Sequence, residues 1–188
     1  VFELPVCYAT GSAEYFATGA VALLNSLGII DCLCFGSECN DLSALSRIAD
    51  ILLDEPLKYR HLLKTHLKNG QSYPTARMHA VSEYLDAPSC TSVLNDPNNI
   101  LGIEYLKALK KLGSPIRPYT IRRAGSHYHD RELSSEHLSS ASAIRSLLAY
   151  SGSALKTDRS GGTFENTPFS NILNDLEEQV PSCCLELL

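Results

Sequence analysis

The sequence predicts an α/β domain, a mostly parallel sheet covered by helices. Three observations carry that expectation. Apolar residues recur at helical spacing in several successive stretches, the apolar runs between them are short enough for strands, and most helical stretches are bounded by a capping residue, a proline or a glycine. With 188 residues the chain has room for one domain, or one domain and a small appendage. That is long enough to bury a core without metal or disulfide staples. A hydrophobic content of 44% with 20% charged residues argues against wholesale disorder.

The elements follow in order. Val1 to Val6 reads as a short strand. Phe16, Ala20, Leu23, Leu24 and Leu27 then recur at helical spacing, and Gly28 supplies the stop. Ile29 to Phe35 is a nearly continuous apolar run that ends in Gly36-Ser37-Glu38. A strand apolar on both sides is what a helix-covered sheet requires. Asp41 is placed to cap a helix whose inward face is Leu42, Leu45, Ile48, Ala49, Leu52 and Leu53. Glu55-Pro56 ends it and begins a second amphipathic stretch reaching Asn69-Gly70. Pro74 opens another helix, with Ala76, Ala80, Val81 and Tyr84 inward.

Asp96-Pro97 supplies a cap and first turn for a helix from about Asn98 to Leu112, stopped by Gly113. Ile116 to Arg123 is the next strand. Ala124 to Ser139 is polar and reads as a loop, Ser140 to Tyr150 as a helix, and residues 151–168 as a flexible connection. Phe169 to Leu188 is helical with a break at Pro181. Strands alternating with helices imply a layered α/β domain.

Bulk properties exclude some classes. No apolar run approaches the roughly 20 residues of a membrane span, so no membrane association is expected. The opening Val1-Phe2-Glu3-Leu4-Pro5 has neither the basic nor the apolar segment of a signal peptide. It reads as the middle of a strand, and the chain is expected to be a fragment. The seven cysteines have no regular framework and read as thiols of a reduced cytoplasmic protein. Cys32 and Cys34 should share one face of a strand. A metal site is not expected. His127-Tyr128-His129-Asp130 carries an i, i+2 histidine pair, but no second pair has fitting spacing.

The net charge of −5 argues against a generally nucleic-acid-coating protein. Charge is uneven, however. From Glu104 to Arg123 six basic residues, Lys107, Lys110, Lys111, Arg117, Arg122 and Arg123, face one acid. Such a patch can meet phosphates, or it can be a solvated helix face and a basic strand end.

Open parallel sheets bind ligands beyond the carboxyl ends of their strands. Gly36-Ser37-Glu38 and Arg122-Arg123 fall at such ends. Ser140 to Arg145 begins a helix, where unpaired N–H groups, the Ser140 and Ser142 hydroxyls and the Arg145 guanidinium suit a phosphate. A Ser-capped helix with an ordinary surface arginine has the same residues. Asn98 and Asn99 can meet a ligand's amide or ribose, or satisfy the donors of their own helix. In Thr120-Ile121-Arg122-Arg123 adjacent side chains point to opposite faces, so one guanidinium can reach a ligand while the other pairs elsewhere.

The ordered set is more specific than its parts. Phe2-Glu3-Leu4-Pro5, Ala9-Thr10-Gly11-Ser12-Ala13-Glu14-Tyr15-Phe16-Ala17 and Phe35-Gly36-Ser37-Glu38 come first. Pro97-Asn98-Asn99-Ile100-Leu101-Gly102, Thr120-Ile121-Arg122-Arg123, Tyr128-His129-Asp130 and Ser140-Ala141-Ser142-Ala143-Ile144-Arg145 follow. This succession closely resembles the bacterial tRNA(Met) cytidine acetate ligase family, a branch of the nucleotidyltransferase superfamily marked by a His-x-Gly-His motif. The resemblance runs from Val1 to about Leu148.

It implies a Rossmann-like ATP-binding domain over residues 1–150, then a connection (151–168) and the start of a C-terminal helical region (169–188). It implies ATP contacts on Gly36, on the Asn98-Asn99 pair, on Arg122-Arg123 and on Ser140, Ser142 and Arg145, without distinguishing the members of the two pairs. Mg²⁺ is expected with the ATP. The implied chemistry activates acetate as acetyl-adenylate and acetylates N4 of the wobble cytidine of elongator tRNA(Met). Lys107, Lys110, Lys111 and Arg117 are the candidate tRNA contacts, and no protein partner is expected.

The His-x-Gly-His motif does not occur among the 188 residues, and neither His61 nor His66 stands in such a context. The resemblance therefore implies missing N-terminal strand-helix units and a chain that is catalytically incomplete alone. The competing readings are a nucleotidyltransferase making a coenzyme or dinucleotide precursor, and a non-catalytic nucleotide- or RNA-binding protein.

Overall fold

Asp41 caps its helix as the sequence predicts, and Ser12 caps another that the sequence reading leaves without a named cap. In the computed structural model, which describes residues 2–88 and 90–123, Ser12 accepts from the Tyr15 N–H at the start of α2 (Ala13–Ser26). Asp41 accepts from the Ala44 N–H at 2.9 Å and opens α3 (Leu42–Asp54). Gly28, Gly70 and Gly113 close their helices with positive φ. The chain divides after Arg123 into two compact units, and the fold described is that of the first.

The element order begins with α1 (Val6–Ala9), then α2, β1 (Cys32–Ser37) and α3. It continues with α4 (Leu57–Lys68), α5 (Tyr73–Leu85), α6 (Cys90–Val93), α7 (Pro97–Lys111) and β2 (Arg117–Arg122). The two strands pair in parallel, with Cys32 opposite Arg117 and Ser37 opposite Arg122. A parallel pair needs a crossover between its strands. Here the crossover is the whole run from α3 to α7.

The largest core lies where α3, α4, α5 and α7 meet β1. Leu45, Ile48, Tyr59, Ala80, Val81, Ile103 and Leu106 fill it. A second cluster joins Val21 of α2 to Ala108 and Leu109 of α7 and to Ile116 before β2. Gly102 fixes how closely α7 approaches the sheet. A Cβ there would stand 2.6 Å from the Phe35 ring, so only glycine admits this approach.

Four expectations need correction. Residues 2–5 have no regular structure and the short strand is instead the start of α1, because Pro5 places its carbonyl to accept from the Tyr8 and Ala9 N–H groups. Strand β1 is not covered on both faces by the described residues. Leu33, Phe35 and Ser37 face the helices while Cys32, Cys34 and Gly36 are exposed. The two cysteines do share a face, as alternation requires. On α3 the fully turned-in set is Leu45, Ile48, Ala49 and Ile51, with Leu42 and Leu52 half-buried. On α2 the deepest side chains are Ala17 and Val21, because small residues let α7 pack close. The short α6 has no counterpart in the sequence reading. Its four residues carry no periodic signal.

Candidate functional site

The carboxyl ends of β1 and β2 are tied together by one buried serine. Ser37 is fully buried, and its Oγ lies 2.6 Å from Thr120 Oγ1. The same oxygen accepts from the Asn40 N–H at 3.1 Å, in a turn where Asn40 adopts a φ of 50°. The Arg123 N–H donates to the Ser37 carbonyl at 3.0 Å. The strand ends are thus held side by side, and Gly36, Glu38, Arg122 and Arg123 stand at one edge of the sheet.

Glu38 carries the end of β1 to the start of α7. Its Oε1 accepts from Asn98 Nδ2 at 2.6 Å and its Oε2 accepts from the Asn99 N–H at 2.9 Å. A carboxylate at a helix N-terminus satisfies orphan donors and meets the positive end of the dipole. Asp96, the N-cap residue, makes no side-chain hydrogen bond to a helix N–H. It accepts from Asn99 Nδ2 at 3.2 Å instead. The capping expected of Asp96 is performed by Glu38 from another element.

The structure separates the two asparagines. Asn99 is fully buried, with its Oδ1 accepting from the Cys39 N–H at 3.1 Å and its Nδ2 donating to Asp96. Its side chain is a strut between the β1 turn and α7. Asn98 is half-buried and keeps its Oδ1 acceptor free while one amide hydrogen meets Glu38. Of the pair, Asn98 is the one that reaches the surface.

Gly36 lies on the open face, and a Cβ added there would meet nothing within 4 Å. Arg122 is exposed and Arg123 half-buried, and neither guanidinium has a partner among the described residues. Guanidinium forks left unpaired at the end of a parallel strand pair suit phosphate or carboxylate oxygens. Among the described residues no group of three His, Cys, Asp or Glu side chains converges on a metal position.

The proposed RNA-facing cations divide differently. Lys107 donates to Glu104 at 2.7 Å, a pair in which both side chains are largely buried. Lys110 is bound by Asp50 and donates to Ser46 Oγ at 3.0 Å. The Lys111 and Arg117 side chains are exposed and have no hydrogen-bonded or ionic partner among the described residues. Only these two of the four offer an unengaged charge. Ser140, Ser142 and Arg145, with the His127–Asp130 loop, lie outside the described residues.

The roles of two members of the site escape sequence reasoning. Ser37 and Glu38 stand in a polar cluster at a strand end, which locates them. Nothing in their spacing shows that Glu38 reaches across sixty positions to cap α7.

This arrangement sets a polar, cationic edge beside a helix N-terminus at the carboxyl end of a parallel strand pair, the place where open α/β sheets take their ligands. The profile of the family described as HIGH Nucleotidyl Transferase matches residues 1–188, and the chain belongs to that family. The tRNA(Met) cytidine acetate ligase of Clostridium perfringens (strain SM101 / Type A) is 44% identical over 183 residues, 92% of this chain and 46% of that protein. The enzyme of the same name from Thermoanaerobacter sp. (strain X514) is 53% identical over 145 residues, 77% of this chain and 36% of that one.

Among solved structures, Thermotoga maritima TmcAL in its apo form I matches with a TM-score of 0.80 and 33% identity. The match covers 98% of this chain and 40% of that one. Thermotoga maritima TmcAL bound with alpha-thio ATP matches with a TM-score of 0.74 and 32% identity, over 98% and 38% of the two chains. The chain spans less than half the length of these relatives.

Proposed function

We propose that this chain forms part of an ATP-dependent ligase that acetylates the wobble cytidine of elongator tRNA(Met). One observation carries the reading: two guanidinium groups without a partner among the described residues, Arg122 and Arg123, at the carboxyl end of the strand pair that also carries Gly36 and Glu38. That edge is built to receive phosphates, and a relative of matching fold was solved with an ATP analogue. Asn98 supplies a surface amide for the nucleoside. Ser140, Ser142 and Arg145 complete the phosphate grip, with Mg²⁺ travelling on the ATP. The site is cytoplasmic, where ATP and tRNA are found.

The chemistry needs position and charge neutralisation more than a protein nucleophile. An acetate oxygen attacks the α-phosphorus, the bond to the β-phosphate bridge breaks, and pyrophosphate leaves. N4 of the cytidine then attacks the acyl carbon of the adenylate, AMP departs, and N4 loses a proton. Arg122, Arg123 and the Ser140–Arg145 segment stabilise the charge that collects on the leaving phosphates. Lys111 and Arg117 bring the tRNA backbone to the same body.

ATP binding to the chain, measured by calorimetry, tests the site. Arg122→Ala/Arg123→Ala is expected to weaken it tenfold or more, because a charge-assisted hydrogen bond is worth about 1.5–3 kcal/mol. An unchanged dissociation constant would remove the site. Acetate-dependent ATP–pyrophosphate exchange is expected to be absent for this chain alone, since it holds no His-x-Gly-His sequence. Robust exchange would place the essential groups within these 188 residues. Binding of tRNA should weaken steeply with salt, and a flat salt dependence would favour a small-molecule transferase.

A further inference from the structure

Glu38 does more than a helix cap requires. An orphan N–H at a helix start needs one acceptor. Glu38 gives its Oε2 to the Asn99 N–H at 2.9 Å, and its Oε1 accepts from the Asn98 side chain at 2.6 Å. The second bond leaves the helix backbone no better satisfied. What it fixes is a side chain.

The residues on either side hold Glu38 in place. Ser37 is fully buried, its Oγ lies 2.6 Å from Thr120 Oγ1, and the same oxygen accepts from the Asn40 N–H. The Cys39 N–H donates to Oδ1 of the fully buried Asn99 at 3.1 Å. The turn from Ser37 to Asn40 is thus anchored to β2 on one side and to α7 on the other. A carboxylate carried by such a turn has little freedom to follow its partner, so Asn98 must turn to meet it.

A carboxylate offers acceptors alone, whereas a carboxamide has a donor end and an acceptor end. Oε1 of Glu38 can be met only by Nδ2 of Asn98, which settles the sense of an amide otherwise free to turn over. Oδ1 of Asn98 is left without a partner among the described residues, and Asn98 is half-buried. A bond to a charged acceptor is roughly twice as strong as a neutral one, so the amide is held firmly in that sense.

We propose, resting on the ATP site described above, that Glu38 is a positioning residue of the nucleoside subsite. By holding Nδ2 of Asn98 it makes Oδ1 the end that meets the ligand, which must bring a hydrogen-bond donor. ATP carries donors of this kind in the 6-amino group of adenine and in the ribose hydroxyls. A base with a 6-oxo group brings an acceptor instead, and a site built to bond a donor rejects an analogue that lacks it.

The test is nucleotide binding to the 188-residue chain by calorimetry, with ATP, inosine triphosphate, 2′-deoxy-ATP and 3′-deoxy-ATP as probes. One of the three analogues is expected to bind tenfold or more weaker than ATP. Inosine triphosphate identifies the amino group, and a deoxy analogue identifies the hydroxyl concerned. That deficit should vanish in Asn98→Ala and shrink in Glu38→Gln, which keeps the side-chain shape but lets the Asn98 amide turn either way. Glu38→Gln should weaken ATP binding about fivefold in the parent and less than about twofold in Asn98→Ala, because it acts through Asn98. A purely capping role would lower the melting midpoint and weaken ATP equally in both backgrounds. Should Glu38→Gln fail to fold, Glu38→Asp, which withdraws the carboxylate by one methylene, takes its place in the cycle. The proposal is overturned if all three analogues bind as ATP does, or if the Glu38 substitution costs the same with and without Asn98. A parent chain that binds no ATP overturns the ATP site and this proposal together. ATP binding that depends on Arg122 and Arg123 but is indifferent to Glu38 overturns this proposal alone.

Discussion

At the scale of the residue, burial decides what a polar group can do. Asn99 looks like a ligand contact in the sequence, and its position inside the fold makes it a strut. Asn99→Ala removes the acceptor of the Cys39 N–H and the donor to Asp96. Leaving such groups unmet should lower stability by about 1–3 kcal/mol, read as a shift in the denaturant midpoint. A midpoint equal to the parent's would mean the strut is dispensable. Tyr59 shows the same rule for a titrating group. Burial, then the neighbouring Tyr73, push its hydroxyl up to about 12 from an ordinary 10.0, with Glu55 adding and Arg77 opposing. The folded chain holds that proton more tightly than the unfolded chain, so this contribution is intact below pH 10 and is lost as pH rises towards 12. Two units correspond to roughly 2–3 kcal/mol. Tyr59→Phe should flatten the alkaline fall in stability, and an equally steep fall in that variant would assign it to other groups.

At the scale of the element, α7 carries most of the architecture. Its N-terminus is capped by Glu38, its middle packs on Phe35 and its last turns pack on Val21 and Ile116. The helix itself was legible in the sequence. Asp96-Pro97 and Gly113 mark its ends to within a residue or two, since caps and stops act through local backbone geometry. The cap was not legible, because Glu38 is near only after folding. Gly102 is the point on which the packing turns. Gly102→Ala gains helix propensity but drives a Cβ into the Phe35 ring, 2.6 Å away. Overpacking of this kind should destabilise the chain by about 1–3 kcal/mol. A neutral or raised melting temperature would show that the ring moves aside freely.

At the scale of the molecule, the described sheet presents one face to α3 and α7, and the other is left uncovered by the described residues. Cys32, Cys34, Gly36, Arg117, Tyr119 and Ile121 share that open face by register. Cys32 and Cys34 are exposed thiols, whereas Cys90 is buried and burial pushes its thiol pKa up. Under native conditions iodoacetamide should therefore label Cys32 and Cys34 well before Cys90, as read by peptide mass spectrometry. Protection of Cys32 and Cys34 to the level of Cys90 would mean that the face is covered. Among the described residues no helix is long and apolar enough to cross a membrane.

By itself the sequence determined what depends on neighbours along the chain. The helix from Asp41 to Asp54, the stops at Gly28, Gly70 and Gly113, the strand ending at Gly36-Ser37 and the basic strand end Arg122-Arg123 all follow from caps, periodicity and turn residues. The ordered set of motifs identified the family, because each short motif has its own local backbone reason. Tertiary structure alone decided which polar groups remain available. Lys107 and Lys110 are held by carboxylates, Asn99 is enclosed, Glu38 caps a helix it does not belong to, and Arg77 Nε is buried without an acceptor among the described residues. Hydrogen bonds and ion pairs act over a few ångströms in space, and the residues they join here lie up to sixty or more positions apart in the chain.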